Sequence, residues 1–178
     1  MMSERIYLNN DWKFAEQFEA SMTEAAYDDS VMQNVRLPHT CKETPLHYFD
    51  EHCYQMVSGY RRVIEAEEAW KGKKILLTID GAAHDSEVFL NGDKVGEHHC
   101  GYTAFTMDIS GVLRYGEKNI LVVKVDSRED LNIPPFGYVI DYMTYGGIYR
   151  DVYLDIKNKD YIEDIFIRTN IGQMDDQN

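Results

Sequence analysis

The sequence predicts an all-β protein built as a β-sandwich, and three features point there. The runs "KKILLTIDG" from Lys73 and "NILVVKVDS" from Asn119 alternate strongly apolar with less apolar positions at period two. Between two further strand-like runs stands Asn91-Gly92, in "SEVFLNGDKVGEH". Both residues tolerate positive φ, as the type I′ turn of a two-residue hairpin requires. Helical spacing, finally, is nowhere sustained beyond a turn or two.

Taken in order, "NND" before Trp12 and Phe14 reads as a chain reversal. "EQFEASMTEAAYDD", residues 16–29, has the composition of a short helix, and "EAEEAWKGKK", residues 65–74, that of a single turn ended by Gly72. In the next strand Ile75, Leu77 and Ile79 share one face, and Leu76 and Thr78 the other. "RYGEKN" then turns the chain into a strand over 119–126, where Leu121, Val123 and Val125 oppose Ile120, Val122 and Lys124. One apolar face and a second, half-polar face suit two packed sheets. The connection "SREDLNIPPFGYV", residues 127–139, is stiffened by Pro134-Pro135, which cannot sit in a central strand. Loops of that length in compact domains tend to be binding loops or disordered segments, and the two prolines limit the disorder. After "IYRDVYLDI" comes "YIEDIFIRTN", residues 161–170, another strand with no partner in sight. The division expected is therefore 1–158 as the sandwich and 159–178 as the start of a following domain.

With 178 residues, the chain can bury a real core as one domain. Its formal net charge of -13 repels a phosphate backbone, so nucleic acid is excluded as a partner. The start "MMSERIYLNN" lacks an apolar core after a basic end, and no window approaches a membrane span. A soluble, cytoplasmic protein with no membrane partner is expected. Cys41, Cys53 and Cys100 are too few for a disulfide framework and read as unpaired thiols.

The chemistry is sparse. His98, His99 and Cys100 are dense in ligand atoms, but neighbours on a strand face opposite ways, so no metal site is read there. No serine has the G-x-S-x-G setting of an exposed nucleophile, and no helix follows the glycine pairs to cradle phosphate. No catalytic residue is assigned. What stands out is Asp141, six residues before Gly147 and flanked by Tyr138, Tyr142 and Tyr145. Aromatic rings stack on the apolar faces of a sugar while carboxylates accept from its hydroxyls, which makes Asp141 and Tyr142 candidate substrate-binding residues. The same tyrosines also suit simple packing at the sandwich end. Arg150 interrupts the apolar series Ile148, Val152, Leu154, Ile156 and is expected to face inward or under a loop, pairing with a carboxylate or with loop carbonyls to hold the 127–145 connection.

Several segments together resemble a known family. "LPHT" at 37–40, "GYRRVIEA" at 59–66, "IDGAAHDSEVFLNGDKVGEHHCGYTAFTMDIS" at 79–110, "GEKNILVVKVDS" at 116–127 and "YGGIYRDVYL" at 145–154 are similar to the N-terminal sugar-binding domain of family 2 glycoside hydrolases. The resemblance implies a jelly-roll, galactose-binding-like sandwich standing before an immunoglobulin-like domain and a (β/α)₈ barrel. It implies a retaining glycoside hydrolase as the parent, with two barrel glutamates about 5 Å apart flanking the glycosidic bond. This chain has no Asn-Glu pair, the context of the family's acid/base, so alone it is expected to be inactive. In β-galactosidases and β-glucuronidases of the family, an acid at the position of Asp141 reaches into the barrel's site. "DLNIPP" resembles the β-galactosidase branch, while Met143 stands where some of those enzymes carry a sodium-associated tryptophan. No cofactor is expected in this chain, sodium or magnesium being left to the parent enzyme, which is expected to be a homo-oligomer acting in carbohydrate metabolism. A free-standing carbohydrate-binding module, or a structural module of a β-glucuronidase-like enzyme, remains the alternative.

Overall fold

The computed structural model describes residues 4–44, 46–47, 50–134, 136 and 144–169. Its strands are β1 (Glu4–Tyr7), β2 (Trp12–Ala15), β3 (Gln33–Val35), β4 (Val57–Glu65), β5 (Lys74–Ile79) and β6 (Ala82–Ala83). There follow β7 (Asp85–Leu90), β8 (Asp93–His98), β9 (Phe105–Asp108), β10 (Lys118–Asp126), β11 (Gly147–Ile148) and β12 (Val152–Lys157). Among the described residues they form a four-stranded sheet, β1-β12-β5-β9, a six-stranded sheet, β3-β2-β4-β10-β7-β8, and the small ladder β11-β6. All pairings are antiparallel, giving the jelly-roll β-sandwich.

Period-two patterning builds the core. Ile75, Leu77 and Ile79 of β5 meet Leu121, Val123 and Val125 of β10 across the sandwich, with Trp12, Tyr60, Val88, Leu90 and Leu154 in the same buried cluster. Each such side chain contributes about 1.5–3 kcal/mol of burial. Asn91 and Gly92 take φ of 55° and 97°, so the hairpin joining β7 to β8 turns as its sequence predicts. The reversal at "NND" passes through Asp11 at φ 62° and carries the chain from one sheet to the other.

Residues 16–29 depart from the expected helix. They form an extended strap with short 3-10 turns at Ala20–Thr23 and Asp29–Val31. Their carbonyls are spent elsewhere: Arg61 donates from Nε to Met22 O at 3.1 Å and from Nη2 to Glu24 O at 3.2 Å, bonds an α-helix would need internally. The strap lays Phe18, Met22, Tyr27 and Met32 over Phe89, Ile120 and Val122, which explains the half-apolar outer face of β10. The turn at Glu68–Trp70, followed by Gly72 at φ 81°, forms as read.

No strand forms over 161–169, where Ile162, Ile165, Phe166 and Ile167 are exposed. Cys41, Cys53 and Cys100 are free thiols. No helix of the described residues is long and apolar enough to cross a membrane.

Candidate functional site

Asp141 and Tyr142, together with Tyr138 and Met143, lie outside the described residues. The structure does show what the chain is anchored to immediately after them. Strand β11 is held on both flanks. On one side Gly147 and Ile148 pair with Ala83 and Ala82 of β6. On the other, His39 N donates to Ile148 O at 2.8 Å and Cys41 N to Gly146 O at 2.9 Å, so the "LPHT" segment acts as a third strand-like partner.

Both glycines are required by close approach. A Cβ on Gly146 would meet Ser127 Cβ and lie 2.7 Å from Cys41 Sγ. Gly147 has φ 110°, and a Cβ there would stand 2.7 Å from His39 O and from the Tyr60 hydroxyl. Behind them His39 Nδ1 and the Tyr60 hydroxyl are 2.8 Å apart, with Phe14 against both rings. Burial pushes the His39 pKa down and the Tyr60 pKa far up, so the pair is neutral. Burial likewise raises the Cys41 thiol, which leaves it a packing group rather than a nucleophile.

The other root of the connection is equally fixed. Ser127 N donates to Met56 O at 2.9 Å, and Ser127 Oγ donates to Tyr54 O at 2.6 Å. Arg128 grips Asp126 through Nε at 2.9 Å and Nη2 at 2.5 Å. Burial opposes ionisation of Asp126, and the Arg128 bonds outweigh it, holding the carboxyl below its usual range. Tyr145, half exposed, tilts its ring against Tyr54 at 6.2 Å.

Around these roots sit polar atoms that the sequence did not single out. The His84 ring nitrogens, Ser86 Oγ, Thr144 Oγ1 and Glu129 Oε2 are buried with no hydrogen-bond partner among the described residues. Their register places them at one end of the sandwich: Ser86 pairs with Val125, and His84 N donates to Asp126 O at 2.9 Å. A signal was present, since Ser86 extends the inward series Val88 and Leu90 of β7 with a polar residue. Burial lowers the His84 pKa, the Asp126 charge opposing it.

Arg150 bonds loop carbonyls, as expected, but not inward and not on the expected loop. It is exposed, and its Nη1 donates to Tyr102 O at 3.1 Å, a carbonyl of the 99–104 loop rather than of the 127–145 connection. The alternation of 148, 150 and 152 is broken because β11 ends at Ile148 and the chain bends before β12. The histidines part as adjacent strand-end residues should: His98 stacks on Phe105 at 4.5 Å, while His99 Nδ1 lies 2.8 Å from Asp85. Among the described residues no group of three or more His, Cys, Asp or Glu could hold a metal ion.

The sequence matches a known family model. The description "Glycosyl hydrolases family 2, sugar binding domain" fits residues 7–158. The chain belongs to that family. It is 42% identical to a β-galactosidase of Thermoanaerobacter pseudethanolicus over 90% of this chain and 22% of that protein. It is 34% identical to a β-glucuronidase of Bacteroides fragilis over 86% of this chain and 21% of that protein. Among solved structures, β-glucuronidase 2 of Bacteroides uniformis, covalently bound to cyclophellitol-6-carboxylate aziridine, superposes with a TM-score of 0.76 at 32% identity, covering 87% of this chain and 18% of that one. The family 2 domain thus spans about a fifth of the length of these relatives.

Proposed function

We propose that this chain is the accessory sugar-binding domain of a retaining, β-galactosidase-like glycoside hydrolase, and that Asp141 at its rim reaches the substrate in a pocket built mainly by a barrel domain of the same polypeptide. The observation that carries this reading is the double anchoring of Gly146-Gly147, which fixes the direction of the chain leaving the Asp141 loop. A lone acceptor helps catalysis only if held to a fraction of an ångström, a demand that a rigid foundation favours. The relatives at 42% and 41% identity, both β-galactosidases, favour a galactoside over a glucuronide.

In this division of labour the barrel glutamates do the chemistry, as acid/base and nucleophile. Asp141 accepts hydrogen bonds from sugar hydroxyls, and Tyr142 stacks beside the ring. The exposed Ile162, Ile165, Phe166 and Ile167 fit a segment that packs in a following domain. A sodium or magnesium ion in the parent would need ligands from beyond the described residues as well, since these contain no group of three or more His, Cys, Asp or Glu that could hold one.

The test is kinetic. In the full-length enzyme Asp141→Ala is expected to lower kcat/KM for nitrophenyl β-galactoside by roughly 10- to 100-fold, the range of one hydrogen bond to a charged group at about 1.5–3 kcal/mol. An unchanged kcat/KM would reduce the domain to a scaffold. The 178-residue chain alone is expected to show no turnover.

A further inference from the structure

Residues 16–32 lie across the outer face of the six-stranded sheet without joining it. Their two ends are clamped together, because β2 and β3 pair with each other through Trp12↔Val35, Lys13↔Asn34 and Phe14↔Gln33. Between those ends the backbone bonds are local: Met22 N donates to Glu19 O, Glu24 N to Ser21 O, Tyr27 N to Glu24 O and Met32 N to Asp29 O. Among the described residues, the one backbone bond from strap to sheet is Phe18 N to Val57 O at 2.7 Å. The buried polar grip comes from a single side chain. Arg61, only 3% exposed, donates to Met22 O, Glu24 O and the Asp29 carboxylate. The other ion pair, Glu16 with Lys42, is solvent-exposed and adds little.

The apolar part of the strap is self-contained in the same way. Met22, Met32 and Val122 form a buried cluster of their own, with Phe18, Tyr27, Phe89 and Ile120 around it. Met22 seats over Gly59, where a Cβ would stand 2.6 Å from its Sδ. Ile75, Leu77, Leu121 and Val123 belong to the main core on the other side of the sheet, so their packing outlasts the loss of the strap. Segments with few long-range backbone bonds and a small satellite cluster open at a lower free energy than the core they lie on. We propose that the strap is a latched flap: residues 16–32 leave the sheet as one cooperative unit while the sandwich stays folded, and the Arg61–Asp29 pair is the latch. When the flap opens, Phe89, Ile120 and Val122 are uncovered and Arg61 turns to water. The strap is thus a two-state element that hides an apolar face, and it owes nothing to the carbohydrate reading above.

Native-state hydrogen exchange on the 178-residue chain, read by NMR where rates report opening equilibria, tests this. The amides of Phe18, Met22, Tyr27 and Met32 are expected to exchange at least about tenfold faster than those of Leu121 and Val123 in β10, with a weaker urea dependence. Two substitutions separate a flap from global unfolding. Ile75→Val weakens the closed and the flap-open sandwich alike, so it should speed β10 exchange about 2- to 10-fold and leave the strap rates unchanged. Asp29→Asn acts on the closed state alone, so it should speed strap and β10 exchange by one common factor, at least about threefold. A shared rate and urea slope for strap and β10, or an Ile75→Val that speeds both equally, would overturn the flap. Unprotected strap amides would overturn it too, since no closed state would then exist to open. Strap rates unmoved by Asp29→Asn would overturn the latch.

Discussion

Arg61 and Arg62 are neighbours on one strand and could hardly be treated more differently. Arg61 faces outward under the strap, where its donors find Met22 O, Glu24 O and the Asp29 carboxylate, the last at 2.5 Å. Arg62 faces inward, at a cleft lined by Leu8, Trp70 and Leu154, with Nε and Nη1 buried and without a hydrogen-bond partner among the described residues. The outer arginine fixes a non-regular segment in place; the inner one has the nearby charge of Asp11 to set against the desolvation that lowers its pKa. Burial tells the two apart less well than satisfaction does, because a buried charge is structural only when every donor has a partner.

Removing the outer charge should have the largest effect. Arg61→Met strands Asp29 and two strap carbonyls, and about 3 kcal/mol of stability is expected to go, the low end for a broken buried pair because Asp29 keeps some solvent contact. Urea unfolding would register this as a lower midpoint. A loss under about 1 kcal/mol would mean that apolar packing, not Arg61, holds the strap.

The matched change inside should run the other way. Arg62→Met replaces an unpaired guanidinium with a side chain suited to the cleft's apolar walls, so stability should stay within about 1 kcal/mol of the parent chain or rise, with an unchanged m value. A loss as large as that of Arg61→Met would erase the distinction drawn here.

The smallest expected effect separates both arginines from the rim. His39 and His84 are held neutral by burial, whereas in the unfolded chain they titrate near 6.5. As the pH falls through 6.5, the unfolded state takes up protons that the folded state refuses, so stability declines and then levels below the depressed native values. Carboxylates held down by partners, such as Asp126 and Glu87, contribute their own losses only nearer their ordinary values of 3.8 and 4.5. Between about pH 7 and pH 5 the slope should therefore be shared by the parent chain and Arg62→Met, and be shallower in His84→Gln. A slope untouched by His84→Gln would remove that histidine from the account.

Much of this was legible one residue at a time. The period-two runs over 74–79 and 118–126 told inner face from outer, and Asn91-Gly92 placed a hairpin, because strand alternation and positive φ are local properties. The strap is not legible in the sequence because residues 16–29 carry helix-compatible composition, and their competitor for carbonyls, Arg61, lies more than thirty residues away. Arg150 was misplaced because a bend between β11 and β12 resets the alternation. The candidate acid, Asp141, was found from its neighbours in sequence, and what braces its loop was not.

The sequence by itself determined the all-β class, the core faces, the main turns and the family, since these follow from spacing, composition and motif order. Only the tertiary structure decided that "LPHT" flanks the Gly146-Gly147 strand, that buried polar atoms gather at its end, and that Arg62 opens on a cleft while Arg61 is sealed. Each of those facts joins residues far apart in the chain, and contacts closed over long loops leave no periodic trace along it.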